Sequence, residues 1–316
     1  MNSKNKQTLS RRRVLGIGAA AMLPGSLLAA SPALRTRVIP STGEDLAVIG
    51  LGTSRTFDVE LEAPEMSALR EVVKVFVQAG GQAIDSSPMY GKAEAVTGRL
   101  LDDLGYSDRV FMATKIWTKG KQDESLASTQ QRGIEQMEES EELLGRQQLD
   151  LMQVHNLISW QEHLPVLREW KESGRIRYMG ITHSRDKAFD EVEKVLLAEQ
   201  WDFLQINYSL AERGAADRLL PLCAERGVAV MVNRAFQKGV LFKAVEGRPL
   251  PPWAAEFGAQ TWGQFFLKYV LAHPAVTCVI PATRKVSHME DNLEAGRGEL
   301  PDAAHLEKMR TYLDTL

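Results

Sequence analysis

Cysteine is scarce: 316 residues hold only Cys223 and Cys278. They form no Cys-x-x-Cys pair and adjoin no run of histidines, which argues against a disulfide framework or a zinc site. Their neighbours Leu222, Ala224, Val276 and Val279 are apolar, so both thiols read as small core side chains. A large excess of either charge is absent too. The net charge is -3, with 25% charged and 44% hydrophobic residues, which disfavours a disordered or collagen-like chain. No low-complexity linker interrupts the body, and no segment makes a convincing spanning helix of ~20 apolar residues.

What is present begins with a basic leader. Residues 1–33 carry Lys4, Lys6, Arg11, Arg12 and Arg13 and no acid, followed by an apolar stretch from Val14 to Ala30. This is the layout of a targeting peptide. Ser10-Arg11-Arg12-Arg13-Val14-Leu15 resembles the twin-arginine export signal. Gly16, Gly18, Pro24 and Gly25 make the stretch a poor spanning helix. Residues 1–33 are therefore read as an export signal and residues 34–316 as the mature protein. The expected destination is the periplasm by the twin-arginine machinery, with no stable membrane span after processing. Removal changes the net charge from -3 to -8, and so acidic a body is a poor nucleic-acid binder.

The body alternates short β-rich apolar runs with longer segments of helical period. Eight strands are expected, at 47–50, 82–85, 109–115, 149–155, 176–182, 203–207, 228–232 and 276–280, each followed by a helix. Phe189, Val192, Val195 and Leu196 form one apolar stripe, and Gly145 suits the cap that ends the third helix. Ser287 and Glu290 have capping-box spacing, so a helix is expected to start at Ser287. Leu306, Met309, Tyr312 and Leu313 form the stripe of a C-terminal helix. Eight strand–helix units in one unbroken domain imply a closed parallel (β/α)8 TIM barrel. The competing open doubly wound sheet commonly carries Gly-x-Gly-x-x-Gly after its first strand. Gly50-Leu51-Gly52-Thr53-Ser54-Arg55 lacks the third glycine.

Four ionisable or proton-transferring residues fall at the ends of consecutive strands: Asp85, followed by Tyr90, then Lys115 and His155. In a parallel barrel those ends share one rim, where catalytic groups gather. Charged groups inside strand runs are costly to bury unless they satisfy one another. In order and spacing these residues resemble the Asp, Tyr, Lys and His tetrad of the aldo-keto reductase family. The resemblance runs from about Val38 to Ala295 and includes Gly50-Leu51-Gly52-Thr53, Met179-Gly180-Ile181, Ile280-Pro281 and Asn292.

The resemblance implies an NAD(P)H-dependent oxidoreductase that reduces aldehydes or ketones, with Tyr90 as general acid. A free tyrosine has a pKa of about 10, and a neighbouring Lys115 is expected to lower it while Asp85 holds the ammonium. His155 orients the substrate oxygen. The resemblance also implies a dinucleotide, NADPH or alternatively NADH, along Gly52, Thr53, Asp85, Thr182, His183, Gln205, Asn233, Arg234, Phe236, Thr283, Arg284, His288, Asp291 and Asn292. Asn233 stands where the family often stacks an aromatic ring on the nicotinamide. Ala282 and His288 stand where many members have Lys and Arg.

The resemblance further implies substrate-pocket walls at 53–58, Met89, Trp117, 157–160 and 251–257, whose tryptophans suit an apolar or aromatic carbonyl compound. Two other classes compete. An exported barrel that binds nucleotide for sensing or regulation needs no acid at the carbonyl. A glycosidase needs two facing carboxyl groups, and among the strand-end residues only Asp85 is acidic.

Overall fold

The computed structural model describes residues 32–118 and 125–316. The expected export signal lies, apart from Pro32 and Ala33, outside the described residues. Pro32–Leu316 form one compact unit.

The unit opens with an antiparallel hairpin, β1 (Thr36–Val38) against β2 (Asp45–Ala47). Eight parallel strands follow: β3 (Leu51–Gly52), β4 (Ala83–Asp85), β5 (Phe111–Ile116), β6 (Leu149–His155), β7 (Ile176–Thr182), β8 (Phe203–Asn207), β9 (Ala229–Asn233) and β10 (Val276–Val279). Each pairs with its sequence neighbour. The sheet closes on itself through parallel bridges Ile49↔Val279 and Gly52↔Ala282, reinforced by Gly50 N donating to Val279 O at 2.8 Å. The result is a closed (β/α)8 barrel.

Helices α1 (Glu65–Gln78), α2 (Ala93–Leu104), α3 (Leu126–Leu144), α4 (Trp160–Glu172), α5 (Phe189–Ala198), α6 (Leu219–Arg226), a short α7 (Val240–Ala244), α8 (Trp262–Leu271), α9 (Val286–Ala295) and α10 (Ala303–Asp314) accompany it. In α5 the residues Val192, Val195 and Leu196 are buried, as their stripe requires. Gly145, at φ 65°, ends α3, and its N–H reaches the Glu141 and Glu142 carbonyls. Asp302 caps α10 by accepting from His305 N at 2.8 Å, and the helix buries Met309.

Several strand ends shift by one or two residues, Arg109 falling in a 3-10 turn before β5, and two differences bear on the layout. Ala47 belongs to the hairpin and the first barrel strand starts at Leu51, because one apolar run serves both elements. Helix α9 starts at Val286, with Lys285 at its N-cap and no side-chain cap. Thr283 Oγ1 accepts from Lys285 N at 3.0 Å, a turn that starts the helix one residue early and leaves Ser287 inside its first turn.

Side chains alternate across a strand, and this alternation builds the barrel interior in tiers. Phe111, Tyr178 and Phe203 pack with centroids 5.5–5.7 Å apart at the lower tier. Ile39 and Leu46 of the hairpin segment join the same buried cluster and plug that end. Ala113, Leu151 and Met231 come next. Two residues further up each strand the interior turns polar: Lys115 follows Ala113, Gln153 follows Leu151, and Gln205 follows Phe203. Both cysteines are buried and free, Cys223 on the buried face of α6 and Cys278 inside the barrel.

Candidate active site

The upper tier closes around Asp85, which is 2% exposed. Lys115 Nζ donates to both of its carboxylate oxygens, at 2.7 and 2.8 Å, and to Ser86 O at 2.7 Å. Gln205 Nε2 donates to Asp85 Oδ1 at 2.7 Å and Gln153 Nε2 at 3.3 Å. A buried ion pair is tolerated only when its remaining hydrogen-bonding capacity is filled, and here three side chains place four hydrogen bonds on one carboxylate. Burial opposes the Lys115 ammonium, but Asp85 and Tyr90 outweigh it and hold its pKa above the ordinary lysine value.

Tyr90 stands on a single 3-10 turn after β4. Pro88 opens the turn, and Ser87 Oγ caps it by accepting from Met89 N at 3.2 Å. The Lys115 ammonium lies 5.1 Å from the Tyr90 ring centroid. The sequence led us to expect a lowered tyrosine pKa. Burial instead dominates and raises it, while Lys115 pulls the other way and Asp85 adds to the rise. Tyr90 is therefore a protonated phenol at neutral pH.

His155 ends β6. Its Nδ1 sits 3.1 Å from Ser87 Oγ, and its ring meets Tyr90 edge-on at 6.0 Å. Burial, then Lys115 and His183, depress its pKa to about 3. It is a neutral imidazole whose Nε2 is the nitrogen left to face a ligand.

These groups floor a cleft of about 1360 Å3, larger than the ~300–1,000 Å3 of an ordinary small-molecule pocket. Asp85, Tyr90 and His155 line it, together with Gly52, Thr182, His183, Gln205, Asn233, Arg234, Phe236, Thr283, His288, Asp291 and Asn292. Thr182 Oγ1 donates to Gln205 Oε1 at 3.2 Å, and Asn233 Nδ2 to His183 O at 3.1 Å. Asn233 Oδ1 is buried with no partner. At the far end, Asp291 accepts from Thr261 Oγ1 and Gln264 Nε2. Gly52 lies so close to the last strand that a Cβ there would stand 2.8 Å from Ile280 O.

Two expected cofactor contacts lie elsewhere. Thr53 is fully buried and braces the site from behind, donating from N and Oγ1 to Asp85 O at 3.0 Å. Arg284 does not line the cleft. Its Nε donates to Thr56 O at 2.8 Å and its Nη2 to Arg55 O at 2.7 Å, joining the loops after β10 and β3. Of the expected wall residues, Trp253 packs against Phe257, Phe265 and Tyr312, and Trp262 lines the cleft in its place.

Sequence reasoning missed Ser87, Gln153 and a set of basic residues on the rim. Gln153 was open to discovery, because it precedes His155 by two and so shares its face. The basic residues Arg55, Arg185, Lys187 and Lys238 sit in loops that carry no periodic signal.

A closed parallel barrel whose strand ends bring an acid, a lysine, a tyrosine and a histidine together around one large cleft defines a barrel-enzyme architecture. The aldo/keto reductase family model matches residues 48–307, and the chain belongs to that family. It is 25% identical over 209 residues to the Aldo-keto reductase YhdN of Bacillus subtilis (strain 168), covering 64% of this chain and 62% of that protein. It is 27% identical over 187 residues to the NADH-specific methylglyoxal reductase of Escherichia coli (strain K12), covering 52% and 55%. These matches span somewhat under two thirds of either relative. An aldo/keto reductase from Klebsiella pneumoniae, solved in complex with NADP and acetate, shares the fold at a TM-score of 0.70 and 23% identity, over 86% of this chain and 93% of that one.

Among the described residues no helix is long and apolar enough to cross a membrane, and no three His, Cys, Asp or Glu side chains gather as a metal site.

Proposed function

We propose that this protein is an NAD(P)H-dependent carbonyl reductase that converts a small aldehyde or ketone to an alcohol. The observation that carries this reading is the arrangement of Tyr90, Lys115, Asp85 and His155 around one cleft. The residues present fit a nicotinamide dinucleotide. The cleft exceeds a substrate's needs, and the buried, partnerless Asn233 Oδ1 calls for an N–H donor such as a carboxamide. Thr182, His183, Gln205 and Asn233 would hold its carboxamide end, Arg234 and Phe236 its diphosphate, and Thr283, His288, Asp291 and Asn292 its adenosine. NADPH is the proposed cofactor, with NADH as the alternative.

The bound nicotinamide would supply hydride to the carbonyl carbon. Everything else falls to the chain. Tyr90, kept protonated by burial, donates its phenolic proton to the carbonyl oxygen as negative charge develops there. Lys115 then lies beside the forming phenolate, and Asp85 keeps that ammonium fixed and charged. His155, neutral and anchored through Ser87, hydrogen-bonds the carbonyl oxygen and aims it at Tyr90. A sensing barrel that only binds nucleotide gains nothing from this constellation.

Tyr90→Phe tests the assignment. Turnover of an aldehyde panel is expected to fall roughly 10²-fold or more, with NADPH binding retained by fluorescence titration. Near-normal reduction by the variant overturns it.

We also propose export to the periplasm by the twin-arginine route, supported by Arg11-Arg12-Arg13 ahead of the 14–30 apolar stretch. Replacing Arg11 and Arg12 by Lys is expected to hold the protein in the cytoplasmic fraction. An unchanged distribution refutes the signal.

A further inference from the structure

Asp85 holds the tetrad together, and three side chains hold Asp85. Two of the three have a second partner to serve during the reaction. Lys115 is the first. An ammonium has three N–H groups, and here three acceptors already take them: Asp85 Oδ1 at 2.7 Å, Asp85 Oδ2 at 2.8 Å and Ser86 O at 2.7 Å. To meet a phenolate on Tyr90, Lys115 must turn one N–H away from these, and two of the three sit on Asp85. Gln205 is the second. It lines the cleft, and a carboxamide held by Thr182, His183, Gln205 and Asn233 would compete with Asp85 for its Nε2, which now lies 2.7 Å from Asp85 Oδ1.

Gln153 is the third, and nothing in the cleft competes for it. It is fully buried and does not line the cleft. On β6 it stands in register with Lys115 on one side and Gly180 on the other, two residues before His155 and therefore on the same inward face. Gly180 leaves room for it, since a Cβ there would stand 3.2 Å from Gln153 Cγ and 2.9 Å from Phe203 O. Gln153 Nε2 reaches Asp85 Oδ1 at 3.3 Å, the longest of the bonds on that carboxylate. Its Oε1 is buried with no hydrogen-bond partner among the described residues. An amide offers two donors and two acceptor sites, so burying one this thinly satisfied is costly. A leucine would fill the space without that cost. The amide is held by one long bond, which it can shorten.

We propose that Gln153 is a positioning residue for the reduction: it keeps Asp85 charged and in place while Lys115 turns to the Tyr90 phenolate and Gln205 to the carboxamide. This rests on the reductase reading above. Asp85 Oδ1 accepts from Lys115, Gln205 and Gln153, and Oδ2 from Lys115 alone. Oδ1 is thus crowded at rest. When either neighbour withdraws, Gln153 Nε2 closes in, so the carboxylate keeps its donor and goes on fixing the ammonium that steadies the phenolate.

Gln153→Leu keeps the volume and removes the donor. With the mature protein, NADPH and the aldehyde panel, kcat is expected to fall about tenfold or more, the scale of a hydrogen bond to a charged group. KM and the NADPH dissociation constant are expected to stay within about twofold of the parent, and the urea midpoint to hold or rise, because a costly amide has left the core. Gln153→Glu supplies the rescue. Burial and the like charge of Asp85 favour the protonated form of the introduced carboxyl, which donates as the amide did. Its kcat is expected to approach the parent's near pH 5.5 and to fall toward about pH 8.5 as that proton is lost, a slope that the parent and Gln153→Leu lack. Without turnover, the side-chain amide signal that Gln153→Leu deletes from a 15N-glutamine spectrum is expected to move downfield when NADP+ is added to the parent.

An unchanged kcat in Gln153→Leu overturns the proposal, as does a signal that NADP+ leaves in place. So does a kcat loss matched by a lower urea midpoint or weaker NADPH binding, since the residue would then only fill space. In each case Tyr90-dependent turnover of the parent leaves the reductase in place. A parent that binds NADPH but shows no such turnover overturns both readings together.

Discussion

Glu94 is a carboxyl group buried in the first turn of α2, 2% exposed. Among the described residues no ion pair engages it. Thr114 Oγ1 donates to it from β5, and Ser140 of α3 stands close by. Burial raises its pKa from 4.5 to about 7, against the smaller opposing pulls of Thr114, Ser140 and Lys115, with Glu139 adding to the rise. A raised folded-state pKa gives stability that is complete below the unfolded value and is lost as pH climbs through the folded one. The interval between 4.5 and about 7, at 1.36 kcal/mol per unit, corresponds to about 3 kcal/mol lost by pH 8. Glu94→Gln removes the titration, keeps the acceptor for Thr114 and offers an N–H to Ser140 Oγ. Urea unfolding of parent and variant at pH 4.5 and pH 8 is the assay. The variant is expected to gain about 3 kcal/mol relative to the parent between the two pH values. A stability difference that is the same at both would refute the reasoning, because the glutamate would then ionise as freely inside the fold as outside it.

Two further expectations follow from buried groups. Lys115→Met strands the Asp85 carboxylate and is expected to cost about 3–5 kcal/mol, with Asp85→Asn in the same chain recovering most of it; equal losses in single and double variants would contradict the pairing. His163, buried on α4 with Nε2 2.7 Å from Thr118 Oγ1, is held to a pKa of about 4, mainly by burial. The unfolded chain therefore binds more protons between pH 4 and 6.5, and stability is expected to fall by about 3 kcal/mol as pH drops through that window. His163→Gln should flatten the loss, and an unchanged slope in urea midpoints would count against it.

The strands β6, β7 and β8 begin and end where their apolar runs do, because a strand covered on both faces must be apolar almost throughout. β3 was harder to place, since the run from Leu46 to Leu51 is shared between a hairpin and the barrel. The tetrad was legible because four costly residues stood at strand ends in order. The direction of the Tyr90 shift was not: neighbouring charge shows in a sequence, whereas the depth of burial that outweighs it emerges only from the fold. Arg284 looked like a phosphate ligand from its charge and position. Its two carbonyl partners belong to a loop more than two hundred residues away in sequence, and no local pattern announces such a tie.

The tiers inside the barrel divide the labour of this chain. An aromatic trio and a hairpin plug hold the lower end shut, while the upper end carries the proton-transfer groups at the ends of β4, β5 and β6 and on the turn after β4. Inheritance can therefore treat the two ends differently. Changes at the mouth can redirect which molecules enter without disturbing what keeps the cylinder folded, and repairs to the base can restore a weakened fold without touching the chemistry. A lineage built on this cylinder can change its diet faster than its skeleton.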